Sequence, residues 1–307
     1  MRVLVVADGE GISQITDHRE CWPAFPQYWR TGRAKFTADV SAVASGLLDG
    51  GASEVVVLDG HGLQWKNVLP DRLPDKTRLL RKKESFEDFH LWFNVGAHSR
   101  CGTFDGFISH TSVPYFRVAL NGALATETHG CALDVGVQPL GVTGDAALDS
   151  QLDGFLQGVP FLPVKRSASR SKTQPLYSNS ERSTEAIRSF AKECLLARKG
   201  SKLMGVPKTV KGSFSFDKNL VAKLEGKKGL VRSSPSVLKA TGRTWKTGAG
   251  QGWTTAMMMA VGPFLEAQGD LDLSSEESIR RQDQIQLDRL RRYLIEWVES
   301  NPSGWED

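Results

Sequence analysis

Residues 1–13, MRVLVVADGEGIS, decide how the chain is read. The unbroken apolar run from Val3 to Ala7 has the composition of a strand covered on both faces by helices. It delivers Asp8 and Glu10 to a turn flanked by Gly9 and Gly11. In open α/β sheets ligands sit beyond the carboxyl ends of the strands, and glycines allow the sharp turn that brings two carboxylates toward one point. A polar strand-to-loop turn without chemistry can carry the same residues, so the rest of the chain has to decide.

Downstream, Val40, Val43, Ala44, Leu47 and Leu48 recur at three- and four-residue steps, which predicts a helix from Thr37 that ends at Gly50-Gly51. A second β-branched run, Glu54 to Leu58, leads into Asp59-Gly60-His61-Gly62. Strand, helix and strand at this length make a βαβ unit with parallel strands, so His61 emerges on the same edge as Asp8 and Glu10. On its own, a histidine between glycines is more often a surface residue than a ligand. The segment Cys21 to Arg33 (CWPAFPQYWRTGR), rich in proline and aromatics, reads as an ordered loop or irregular cover over the strand ends.

The polar stretch from Leu63 to Glu87 reads as a connection holding a short strand near Thr77 to Leu80 and a solvated charge run, Arg81 to Glu84. Phe89 to Ala97 is a further strand, ending in His98, and strand-like Phe104 to Ser109 leads to His110. Asn121 to Gly136 predicts a turn entering a helix that carries Glu127 among small and apolar neighbours. A glutamate buried there needs a counter-charge, and one on an exposed helix face does not. His18, His90 and His129 lack a strand-end position and are read as structural or surface residues.

Asp8, Glu10, His61, His98 and Glu127 are more ligands than one zinc ion needs. Zinc accepts imidazole nitrogen and carboxylate oxygen, and a carboxylate can bridge two ions. Two divalent ions facing three carboxylates leave roughly one positive charge to hold a hydroxide, with the pKa of the bound water drawn toward neutrality. His110 is then left over as a residue that can donate or accept a proton.

The composition excludes several classes. The chain has 307 residues, 40% hydrophobic and 24% charged, with a formal net charge of +4. It has no basic stretch interleaved with aromatics, which argues against a nucleic-acid partner. It has no apolar run of membrane-spanning length and no signal-like N-terminus, so a cytoplasmic protein is expected. Cys21, Cys101, Cys131 and Cys194 have neither metal-ligand spacing nor the density of a disulfide frame, and are read as free thiols.

Farther on, Pro139 to Thr143 reads as a strand that leads to Gly144-Asp145. Asp145 is read as a helix cap or as a group orienting a ligand from behind. A helix to about Gln157, an extended run from Pro160 to Val164 and a helix from Ser180 to Ala197 follow. The polar stretch to about Lys208 is the expected boundary, dividing a catalytic domain (1–205) from a small α+β domain (206–269). Met257-Met258-Met259 is read as core or subunit-contact filling. The last segment, 270–307, opens with a capping-box pattern at Ser274 and Glu277. Its helix carries an apolar stripe of Leu287, Leu290, Leu294, Trp297 and Val298, which must cover either its own domain or a neighbouring subunit.

Taken in order, MRVLVVADGEGIS, VVVLDGHG, VGAHSR, FISHTS, ATETHG, GVTGD and VKRSASRS resemble the zinc D-aminopeptidases associated with bacterial dipeptide-transport operons. The resemblance is specific from Met1 to about Arg170 and fainter to about Gly269. It implies five metal ligands at Asp8, Glu10, His61, His98 and Glu127, and a catalytic non-ligand histidine at His110. It also implies a Rossmann-like three-layer α/β/α domain with a mainly parallel sheet, a smaller two-layer α/β domain and a large ring-like homo-oligomer. The longer segment between His98 and His110, and the less hydrophobic setting of Glu127, bear on substrate preference.

The expectation is therefore an aminopeptidase with two zinc ions per chain. It would act on short peptides, those with D-configured N-terminal residues among the candidates, by metal-bound hydroxide. The alternatives are a metal-dependent phosphomonoesterase or nucleotidase, for which no phosphate cradle is found beside Asp8, and a catalytically silent assembly protein of the same fold.

Overall fold

The structure is a computed structural model that describes residues 1–62, 65–114, 116–198, 207, 209–216 and 218–299. The first strand, β1 (Arg2–Ala7), leads into α1 (Pro26–Asp49) and returns as β2 (Glu54–Asp59). β1 and β2 pair in parallel, with Ala7 beside Asp59, as the βαβ reading requires. Helix α1 starts eleven residues ahead of the expected Thr37. Pro26 occupies its first turn, where a missing N–H costs nothing, and Trp29, Phe36, Val40, Val43 and Leu47 continue one buried stripe. The prolines that suggested a loop therefore mark a helix start.

The chain continues through β3 (Thr77–Leu79), β4 (Leu91–Ala97), β5 (Arg117–Leu120), β6 (Ala123–Leu124), α2 (Glu127–Val135), β7 (Gln138–Asp145), β8 (Phe161–Ser169), β9 (Lys172–Pro175) and α3 (Ser180–Ala197). Phe104 to Ser109 forms no strand. It is a run of turns in which Ile108 takes a φ of 50°. The helix expected before Gln157 is replaced by two short 3-10 segments, Ala146–Gln151 and Gly154–Leu156. Then come β10 (Gly212–Ser215), α4 (Lys218–Leu224), β11 (Leu230–Ser234), β12 (Val237–Ala240), α5 (Gly250–Ala260), α6 (Gly262–Gln268), α7 (Glu276–Arg280) and α8 (Gln284–Glu299).

A seven-stranded sheet in the order β3-β2-β1-β4-β7-β8-β9 is parallel except for β9. Alternate residues of each central strand face opposite layers. Val3, Val5, Val55, Val57, Phe93 and Val95 join α1 and α3 in one apolar cluster, whereas Leu4, Val6, Val56 and Trp92 join Ala132 and Val135 of α2 on the other face. Each such Val or Leu, fully buried, contributes about 1.5–3 kcal/mol. The second sheet is antiparallel, in the order β11-β12-β10-β5-β6, with α5 packed on its core.

The small sheet thus borrows a hairpin from residues 117–124 in addition to the later segment, while the expected boundary near 205 lies outside the described residues. The stripe of α8 is buried on the chain itself: Leu287, Leu290, Leu294 and Val298 belong to the same cluster as Trp22, Trp29 and Ala267. Ser275 rather than Ser274 caps α7, accepting from Ser278 N at 3.0 Å. All four cysteines are free, and among the described residues no helix is long and apolar enough to cross a membrane.

Candidate metal centre and its cleft

The chain progresses outward from β1 to β2 and β3 on one side, then restarts at β4 on the other, so β1 and β4 flank the point where strand order reverses. Such a switch point opens a crevice at the carboxyl edge of the sheet. Here the backbones after the two strands are laced together, with Asp8 N donating to Val95 O at 2.9 Å and Gly11 N to Gly96 O at 2.8 Å. A Cβ on Gly11 would lie 2.0 Å from Ala97 O, and one on Gly96, whose φ is +76°, would lie 2.1 Å from Asp8 O. Both positions therefore require glycine. The lacing sets Asp8 of the first loop against His98 of the second.

Asp8 is the hub. One carboxylate oxygen lies 3.1 Å from His61 Nδ1 and the other 3.3 Å from His98 Nε2. Glu10, 2% exposed, places Oε2 3.2 Å from the same His61 nitrogen. Glu127, the first residue of α2, reaches in from the opposite side, 3.8 Å from His98 Nε2 and 3.5 Å from His110 Nε2. Its carboxylate also accepts the backbone N–H of Ser112. The helix that carries it is fixed by a reciprocal cap between Thr126 and His129, which gives His129 its structural role. His90 is exposed and His18 is half-buried in a 3-10 turn, so neither joins the cluster.

Each imidazole is aimed by its other nitrogen. His61 Nε2 donates to Cys21 O at 2.8 Å, leaving Nδ1 to face the carboxylates. His98 Nδ1 donates to Ser99 O at 2.9 Å, leaving Nε2 inward. His110 Nδ1 donates to Ile108 O at 2.6 Å, and its ring stacks on His98 with centroids 4.1 Å apart. A metal-binding histidine is oriented in just this way, by a backbone carbonyl on the far nitrogen. His110 arrives on a turn rather than a strand. That turn is held by Phe107 N to the Asp145 carboxylate at 3.0 Å, while the same carboxylate caps the following 3-10 segment through Ala147 N.

The electrostatics are reciprocal. Burial pushes Asp8 up, but hydrogen bonds and charge from His61 and His98 hold it well below the usual carboxylate range. Burial pushes His61 and His98 down, yet Glu10, Asp8 and Glu127 hold both well above the ordinary imidazole value. His110 goes the other way, lowered by burial and by the charge of His98. Carboxylates that hold imidazoles protonated in this manner are a set that exchanges protons for divalent cations. His98 Nε2 and Glu10 Oε2 are buried with only loose ion-pair contacts, to Asp8 at 3.3 Å and to His61 at 3.2 Å, and a cation that displaced the imidazole protons would satisfy both atoms. Two trios, Asp8 with Glu10 and His98, and Glu127 with His98 and His110, each bring ligand atoms within 4.8 Å of one another. The donor set therefore fits one or two borderline divalent ions.

Above the cluster lies a cleft of about 180 Å³ whose far wall comes from parts of the chain that the strand-end argument did not reach. Trp22 and Trp65 come from the early loops, Met257 and Phe264 from α5 and α6, and Tyr293 and Trp297 from α8. For Trp22 the aromatic segment after Cys21 was a signal. For Tyr293 and Trp297 no sequence signal tied the C-terminal stripe to this place.

No curated protein matches the chain. Among solved structures it is similar to the Zn-dependent D-aminopeptidase DppA from Bacillus subtilis, a self-compartmentalizing protease. The two are 18% identical with a TM-score of 0.72, over 92% of this chain and 99% of that one, which establishes a shared fold. The sequence model of the Peptidase_M55 family, described as D-aminopeptidase, matches residues 1–248, and the protein belongs to that D-aminopeptidase family.

Proposed function

We propose that this D-aminopeptidase holds two zinc ions per chain with Asp8, Glu10, His61, His98 and Glu127, and uses His110 to move the proton. The observation that carries the reading is that Asp8 joins two backbone-oriented imidazoles, His61 and His98, which Glu10 and Glu127 approach in turn, with His98 Nε2 and Glu10 Oε2 buried short of a full hydrogen bond. Zinc, when bound, supplies Lewis acidity toward a peptide carbonyl and a water acidic enough to ionise near neutral pH. His110 keeps its Nδ1 proton on Ile108 O, so Nε2 takes up the proton released by the attacking water. The resulting imidazolium steadies the negative charge on the carbonyl oxygen and returns its proton to the leaving amine. The apolar wall opposite excludes bulk water and strengthens these charge interactions.

The substrates on this reading are short peptides with a free N-terminus. The assembly is a large closed ring, as the self-compartmentalizing relative suggests, and the reducing cytoplasm suits four free cysteines. A phosphomonoesterase would need a cation for the phosphate, and among the described residues no Lys or Arg lines the cleft. Hydrolysis of a panel of D- and L-aminoacyl amides and dipeptides, before and after zinc is removed and restored, tests the proposal. Zinc-dependent release of the N-terminal residue is expected, and turnover of phosphomonoesters in place of amides overturns it.

A further inference from the structure

We infer that the aromatic wall supplied by α6 and α8 is the subsite for the side chain of the substrate's N-terminal residue, and that it selects a bulky apolar, preferentially aromatic, one. The inference rests on the aminopeptidase reading of the adjoining cluster. The cleft has two ends. Its polar lining, Asp8, Glu10, His61, His110, Ser112 and Glu127, lies at the ligand end, and the remainder is aromatic, aliphatic or glycine.

The rings form two continuous runs, each anchored on a histidine of the site. His61 meets Trp65 at 5.6 Å, Trp65 meets Phe264 at 6.0 Å, and Phe264 meets Tyr293 at 6.1 Å. On the other side His110 meets Trp297 at 4.8 Å, and Trp297 meets Trp22 at 5.7 Å. Edge-on and tilted rings at these separations are mutually favourable, so the wall is a packed surface with a fixed shape.

The wall is also tied to the catalytic loop. Buried Arg170 donates to Trp297 O at 3.2 Å and to Val298 O at 3.0 Å, taking up carbonyls of the last turn of α8 that the helix cannot satisfy. The same guanidinium donates to Ser109 O, next to His110, while Arg170 O accepts from Ile108 N. Arg291 of α8 adds a bond to Ala24 O at 2.7 Å. The position of Trp297 over His110 is therefore set by hydrogen bonds as well as by packing, and the pocket is preformed.

Size and charge narrow the occupant. An apolar cavity of about 150 Å³ admits a benzene ring, so a cleft of about 180 Å³ is on the scale of one ring-bearing side chain. It falls short of the roughly 300 Å³ at which pockets for larger ligands begin. A methyl side chain would leave the wall in contact with water. An acidic side chain meets no cation among the described lining residues. A basic side chain finds carboxylates only at the ligand end, where on the proposed reading they are taken by divalent ions.

Two measurements test this. Kd values for D-phenylalaninol and D-alaninol, amino alcohols that cannot be hydrolysed, are taken by calorimetry on the zinc-loaded full chain. kcat/KM is measured for the amides of D-phenylalanine, D-leucine, D-alanine and D-lysine. The aromatic alcohol should bind more tightly, and the aromatic amide turn over better than the alanine amide, by about tenfold or more. Phe264→Leu and Tyr293→Leu should erode that preference mainly through KM on the aromatic amide, sparing the alanine amide, whereas Tyr293→Phe retains it. Equal binding of the two alcohols, a preference for alanine or lysine amide, or variants that slow every amide alike would each overturn the inference. Preferential binding of D-phenylalaninol without hydrolysis of any amide would instead refute the peptidase reading and leave the subsite standing.

Discussion

Asp39→Asn should stabilise the protein at neutral pH. Asp39 sits on the inner face of α1, 2% exposed, and its two oxygens accept from Ser13 N at 2.7 Å and Ser13 Oγ at 2.8 Å, which holds the loop that follows Glu10. Burial raises its pKa to about 6, against the bonds from Ser13 and the charge of Lys165. The folded chain therefore binds this proton more tightly than the unfolded chain, whose value is near 4. Stability falls as pH rises from about 4 to about 6, and above 6 the full deficit of about 3 kcal/mol is in place. Asparagine removes the charge and keeps the geometry: its oxygen accepts Ser13 N–H and its amide donates to Ser13 Oγ. The Ser13 hydroxyl then turns wholly to Ser183 Oγ, 3.1 Å away. Compared at equal concentration in metal-free protein, the variant should melt about 5 °C or more above wild type at pH 7.5 and close to it at pH 4.5. A variant less stable than wild type at pH 7.5 would show that the ionised carboxylate is favoured in the fold and would refute the reasoning.

His110→Ala should keep its zinc and lose about two to four powers of ten in turnover, measured as metal content and initial rate on one preparation; parallel loss of zinc would place His110 among the ligands. Gly11→Ala drives a Cβ to 2.0 Å from Ala97 O and should destabilise the fold by more than about 2 kcal/mol, read from thermal melting. Arg170→Met strips donors from Ser109 O, Trp297 O and Val298 O and should cost about 3 kcal/mol together with turnover; an unchanged melting temperature would count against the tie between α8 and the His110 loop. Light scattering should report a large closed assembly, and a monomer at micromolar concentration would remove the ring proposal.

The parts of the site that follow central strands were legible because a buried parallel strand is a continuous apolar run, and its last residue fixes what the sheet edge presents. Asp8, His61 and His98 were placed that way, whereas for Glu127 the sequence showed a turn entering a helix and left its face open. His110 was placed near the site for an incorrect local reason. Its preceding segment alternates like a strand, but Gly106 and the left-handed Ile108 turn it, and bonds from Asp145 and Arg170 hold it. The hairpin of β5 and β6 is too short to carry a period that would assign it to the second sheet. The part of the aromatic wall that α8 supplies was invisible for a different reason. The stripe on α8 predicted burial, but a stripe does not name what it covers, and here the answer lies more than 250 residues away at Trp22.

The central proposal is that Asp8, Glu10, His61, His98 and Glu127 hold two divalent ions in this D-aminopeptidase. Elemental analysis of wild type and Asp8→Ala, with hydrolysis of D-aminoacyl amides followed on the same samples, tests it most directly. The account predicts close to two zinc ions per chain in wild type. It predicts a clear deficit in Asp8→Ala, because Asp8 touches both histidines, and activity that is lost to chelation and regained with zinc. Full activity in the chelated protein, or the same stoichiometry in Asp8→Ala, would contradict it.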